Sequence, residues 1–150
     1  MVEAKPAKYS TIPNQRVKDF VGREAQLNQI SSYFSSRDGN RPRIFVLHAL
    51  GGQGKSQIAL EYCQRTNTLY GGLFLVNASS ESTMIQSFVN IATELDPSAA
   101  ASMGDAEKVK FVLQTLKHWD LRWLVVFDNC DDPKVFPHIQ DFIPTGLYSP

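Results

Sequence analysis

RIFVLHALGGQGKSQIALEY, Arg43–Tyr62, joins a strand-like run to a helix-like run through three closely spaced glycines. Its first six residues are of strand length, with Ile44–Leu47 an unbroken apolar run, as expected of a strand buried on both faces. A glycine-rich turn follows. Ile58, Ala59, Tyr62 and Cys63 then recur at helical spacing on one face. Strand, glycine turn and helix are the context in which backbone N–H groups can converge on a phosphate at a helix start. Gly51, Gly52 and Gly54 remove the Cβ atoms that would block such an approach. Lys55 would reach the terminal phosphates, and Ser56 would offer a hydroxyl to Mg²⁺. The usual pattern G-x-x-x-x-G-K-[ST] is broken only at its first position, where Ala49 stands. One methyl there is inexpensive if φ is negative and costs about 1 kcal/mol if φ is positive.

Outward from this stretch, apolar segments alternate in type. FVGREAQLNQISSYF places Leu27, Ile30 and Phe34 on a helical face, and Asp38-Gly39-Asn40 ends it. GGLFLVN is a second buried strand. SSESTMIQSFVNIATEL is a helix with Met84, Ile85, Phe88, Ile91, Ala92 and Leu95 inward, serines to cap it, and Pro97 at its end. Ser102 and Asp105 have the spacing of a capping box before a helix that buries Val109, Val112, Leu113 and Leu116. RWLVVFDN is a third buried strand, followed by a loop, a short helix and a proline-punctuated tail. The alternation predicts an α/β fold with a mostly parallel sheet. Residues 1–19 are polar, with Pro6 and Pro13, and read as a mobile arm or a pinned extended segment.

Composition narrows the function. The 150 residues are one domain's worth, 43% hydrophobic and 20% charged, with 15 Lys+Arg against 15 Asp+Glu. That balance leaves no electrostatic footprint asking for nucleic acid or a membrane surface. The longest apolar run, WLVVF, is too short to span a bilayer, and the N-terminus has no signal-like apolar region. Cys63 and Cys130 lack metal spacing and read as reduced, packed thiols of a cytoplasmic protein. His48 reads as a packed strand-end histidine, and His118 and His138 have no partners at metal spacing. Trp119 and Trp123 read as core or rim aromatics.

A phosphate loop needs an acidic partner for its metal. Asp128 directly follows WLVVF, at a strand end, and can hold Mg²⁺ through water. The next residue is Asn129, an amide that can hold a water but cannot take its proton. Asp131 and Asp132 could stand in for a base or simply cap the helix near Pro133.

Together FVGREAQLNQI, HALGGQGKSQIALEYC, GGLFLVNASS and LRWLVVFDNCDD resemble, in order and spacing, the NB-ARC domain. The likeness is to the fungal NOD-like receptors, within the signal-transduction P-loop ATPases with numerous domains, and it covers residues 20–150. It implies a three-layer sandwich and an ADP/ATP switch that is resting with ADP and associates with itself on exchange for ATP. It also implies Val21 and Gly22 beside the adenine, with Arg23 fixing that segment. The loop Gly51, Gly52, Gln53, Gly54, Lys55, Ser56 and Gln57 would lie around the phosphates, with Ser56 and Asp128 on Mg²⁺ and Lys55 and Asp128 as the chemically active pair. In that family a fourth strand with a sensor arginine, a helical domain and a winged helix come next. The sequence given would hold the N-terminal part of the domain. With that strand missing from between the first and third strands, the sheet is expected either to close or to keep a gap. Two other readings stay open: a small P-loop phosphotransferase, and an inert or association-only fragment.

Overall fold

The computed structural model describes residues 9–12, 24–35, 43–46, 55–129, 134 and 140–143. Four strands form one sheet in the order β1 (Tyr9–Ser10), β3 (Gly72–Asn77), β4 (Trp123–Asp128) and β2 (Arg43–Val46). All neighbours run parallel. The helices are α1 (Glu24–Ser35), α2 (Lys55–Arg65), α3 (Glu81–Leu95), α4 (Pro97–Ala100) and α5 (Asp105–Lys117), with a 3₁₀ turn at Gln140–Phe142. The expected α/β class and parallel sheet are therefore present. Among the described residues, no helix is long and apolar enough to cross a membrane.

The strands are apolar on both faces because both faces are covered. Phe74, Val76, Trp123, Val125 and Phe127 point to one side, into a core closed by Met84, Phe88, Ile91 and Ala92 of α3 and Val112 and Leu116 of α5. Leu73, Leu124 and Val126 point to the other, under Leu27 of α1 and Ile58, Ala59, Tyr62 and Cys63 of α2. The alternation along β3 and β4 is the period-two geometry of a strand. It also fixes the face on which each strand ends. Trp123 anchors α5 by donating its indole Nε1–H to the Leu116 carbonyl at 3.0 Å.

α3 starts where its serines predict. Thr83 N–H donates to Ser80 Oγ at 3.2 Å and Ser80 N–H donates to Thr83 Oγ1 at 3.0 Å, a reciprocal cap. The helix ends at Asp96, before Pro97, as expected. Asp96 also caps α4, a turn the sequence reading did not include, by accepting from Ala99 N–H at 3.1 Å. That turn overturns the expected Ser102–Asp105 capping box. Ser102 is spent on the end of α4, donating its hydroxyl to the Ala99 carbonyl, and α5 begins after Gly104 with no side-chain cap.

Two further expectations meet the sheet directly. Within the arm expected over residues 1–19, the described residues 9–12 lie along β3. Tyr9 N–H donates to the Gly71 carbonyl, Thr11 N–H to the Leu73 carbonyl, and the Tyr9 ring packs 5.5 Å from Trp119. The first and third strands of the sequence reading, β2 and β4, pair without a gap from Arg43↔Leu124 to Val46↔Phe127. Of the two expected outcomes the sheet adopts the closed one. Apolar strand edges left apart would have kept backbone donors and acceptors unpaired, at about 1–3 kcal/mol for each one buried.

Candidate functional site

Three chain segments converge at the carboxyl edge of the sheet. β2 ends at Val46, and α2 begins at Lys55 after the glycine-rich stretch of the sequence. β4 ends at Asp128 beside β2, one register step beyond the Val46↔Phe127 pair. β3 ends at Asn77, paired with Asp128. In an open parallel sheet the carboxyl edge is where ligands are bound.

The side of the sheet is fixed by alternation. Phe127 belongs to the α3/α5 core and Val126 to the α1/α2 core, so Asp128 falls on the α1/α2 side. That is the side on which α2 packs. The carboxylate expected to serve a metal and the helix expected to receive a phosphate thus share one face and one edge, on adjacent strands about 4.8 Å apart. Asp128 is half-buried. Its carbonyl accepts from Ala78 N–H at 2.7 Å, and its Oδ1 accepts from Asn129 N–H at 2.8 Å. Asn129 takes φ 62°, the left-handed region that asparagine tolerates better than most residues. This turn ends the strand and orients the carboxylate.

Lys55, Ser56 and Gln57 form the first turn of α2, which carries no acidic residue. A cation at a helix N-terminus opposes the helix dipole, and an anion bound there reverses the balance. The side chains of these three residues lie outside the described set, as do Val21, Gly22, Arg23, Gly51, Gly52, Gln53 and Gly54. Ala49, His48, Cys130, Asp131, Asp132 and His138 lie outside it too. Among the described residues, no group of three or more His, Cys, Asp and Glu gathers.

The structure adds residues the sequence reading missed. Glu24 accepts from both terminal nitrogens of Arg65 at 3.0 Å, and Arg65 Nε donates to buried Glu61 at 2.7 Å. The Arg65 hydrogen bonds hold the Glu24 carboxyl below its ordinary range, and the two glutamates raise Arg65. This triad links α1 to α2 at the surface. Its i,i+4 half, Glu61–Arg65, is a sequence signal; its longer half is not. Asn77 closes an apolar strand, and only the register, which no sequence period reports, sets it beside Asp128.

No protein-family model, no curated protein and no solved structure matches this chain. The class is set by architecture alone: an α/β protein with a parallel sheet, in which β3 and β4 end at Asn77 and Asp128.

Proposed function

We propose that this chain is an adenine-nucleotide-binding module of a signalling switch, the N-terminal part of an NB-ARC-type P-loop domain with helices layered on both sheet faces. The observation that carries the proposal is the placement of Asp128. It ends the strand next to β2, on the face where α2 starts with Lys55-Ser56.

In this reading the N–H groups of Gly51, Gly52, Gln53 and Gly54 and of the α2 first turn cradle the β-phosphate of ADP or ATP. Lys55 neutralises phosphate charge, the strongest polar contact available to the loop. Ser56 and Asp128 hold Mg²⁺, the carboxylate through water, and the ion screens charge between the phosphates. Val21 and Gly22 take the adenine through backbone, with Arg23 holding that segment. β2 pairs directly with β4, whereas in an NB-ARC sheet another strand stands between them. Asn129 offers no base, so the site favours holding nucleotide over hydrolysing it. A cytoplasmic location and self-association through this domain belong to the same proposal.

Lys55→Ala tests it. Mg·ADP binding is expected to fall below detection while circular dichroism and the unfolding midpoint stay as in the parent. Equal ADP affinity in the variant would refute the phosphate loop. Phosphotransfer to a small acceptor would establish a phosphotransferase instead, and failure of the parent to bind any nucleotide would leave an association-only fragment.

A further inference from the structure

We propose that the outer edge of β3, with Trp119 beside it, is a binding site for an extended segment carrying an aromatic residue two places before a threonine. The chain's own Tyr9–Ile12 fills it, and the same segment of a second copy fits it equally. This gives the self-association proposed above a surface, and neither the site nor its test involves nucleotide.

The edge reads four features of the segment. Tyr9 N–H donates to the Gly71 carbonyl at 3.0 Å and Thr11 N–H to the Leu73 carbonyl at 2.9 Å, the main-chain pairing by which a sheet edge takes up an added strand. The Tyr9 ring lies 5.5 Å from that of Trp119, which lies 6.2 Å from the ring of fully buried Phe74, so the aromatic seat is anchored in the core. Thr11 Oγ1 accepts from Leu75 N–H at 3.0 Å, a bond that only a residue with a side-chain acceptor can make. Ser10 N–H donates to Glu94 Oε1 of α3 at 3.3 Å. The ladder holds two pairs, Tyr9↔Gly72 and Ser10↔Leu73. Residue 13 is a proline, which has no N–H for a further rung.

These four contacts do not depend on which copy supplies the segment. At micromolar protein the chain's own arm wins, because a short tether holds it at an effective concentration near the millimolar range. Weakening that arm frees the Leu75 donor and the Gly71 and Leu73 carbonyls along GLFLVN, an apolar strand. An open edge of this kind is a template for another chain. The arm of a second copy matches it at every contact.

The experiment titrates a fluorescein-labelled peptide of residues 5–15 with the full-length parent and with full-length Tyr9→Ala. The parent's own arm competes with the peptide, so Tyr9→Ala is expected to bind it roughly tenfold more tightly, the worth of the lost aromatic contact. A peptide with Thr11→Val keeps the side-chain shape and loses the acceptor for Leu75 N–H; it is expected to bind roughly fivefold more weakly. Between whole chains, Tyr9→Ala mixed with Trp119→Ala, which keeps a sound arm and has a damaged seat, is expected to sediment as a one-to-one complex that neither forms alone. Only variants with the circular dichroism of the parent are used; Thr11→Val replaces Tyr9→Ala, and Trp119→Leu replaces Trp119→Ala, where one does not fold. Absence of peptide binding to the weakened-arm variant at millimolar peptide, equal affinity for it and the parent, indifference to Thr11→Val in the peptide, or no complex in the mixture overturns the assignment.

Discussion

Phe88→Ala probes the packing on which the site's frame rests. Phe88 is fully buried on α3, among Met84, Ile91 and Ala92, and its ring lies 5.3 Å from that of Phe142 at 40°. Truncating a buried phenylalanine costs about 3–5 kcal/mol, because transfer energy is lost and a cavity remains. A domain of this size has on the order of 5–15 kcal/mol in all. The variant should therefore fold, with a much lower urea midpoint. Phe142 sits on a short 3₁₀ turn that can relax, so Phe142→Ala should cost less, about 2–3 kcal/mol. The double variant should fall short of the sum by about 0.5–1.5 kcal/mol, the worth of the aromatic contact. Trp119 and Trp123 lie in the same cluster and report unfolding by fluorescence. A cost below ~1 kcal/mol for Phe88→Ala would place the ring outside the core. Strict additivity would detach residues 140–142 from α3.

Three further outcomes are expected. Burial pushes the Cys63 thiol up to about 12, above its value in an unfolded chain. The unfolded state then loses a proton first as pH rises, so this contribution to stability is whole below about pH 8.5 and drains away toward pH 12. Denaturant titrations from pH 8 to 11 should show a steeper decline in the parent than in Cys63→Ala, and identical slopes would place the thiol at the surface. A Cβ at Gly72 would come within 2.6 Å of Trp119 and 2.7 Å of Phe74, so Gly72→Ala should destabilise by about 1–3 kcal/mol, and an unchanged urea midpoint would refute that close packing. Steady-state ATP turnover should lie far below 1 s⁻¹, the low end of ordinary enzymes, because Asn129 cannot act as a base; a rate near that value would point to Asp131, Asp132 or another group.

What was legible in the sequence was what period and local chemistry control. The runs GLFLVN and WLVVFD are apolar at every position but the last because helices cover both faces, and they appear as strands at those places. Ile58, Ala59, Tyr62 and Cys63 show the 3.6-residue period of a helix packed on a sheet, and all four are buried. The Ser80 cap could be read because its partner lies three residues away. The Ser102 box failed for the complementary reason: the same hydroxyl could serve the end of α4 instead, and local spacing does not rank the two. Partners distant in sequence were out of reach. Arg65 meets Glu24 across 41 positions, Tyr9 meets β3 across more than sixty, and Asn77 reaches Asp128 through a register. For the site, Asp128 could be singled out as a strand-ending acid, but the face it occupies required the structure.

The most direct test is a calorimetric titration of the intact chain with ADP in the presence and absence of Mg²⁺, repeated on Asp128→Asn. One nucleotide is expected per chain, bound more tightly with Mg²⁺ in the parent, with that Mg²⁺ enhancement lost in the variant while metal-free binding persists. No heat of binding at millimolar ADP, or the same Mg²⁺ enhancement without the carboxylate, would contradict it.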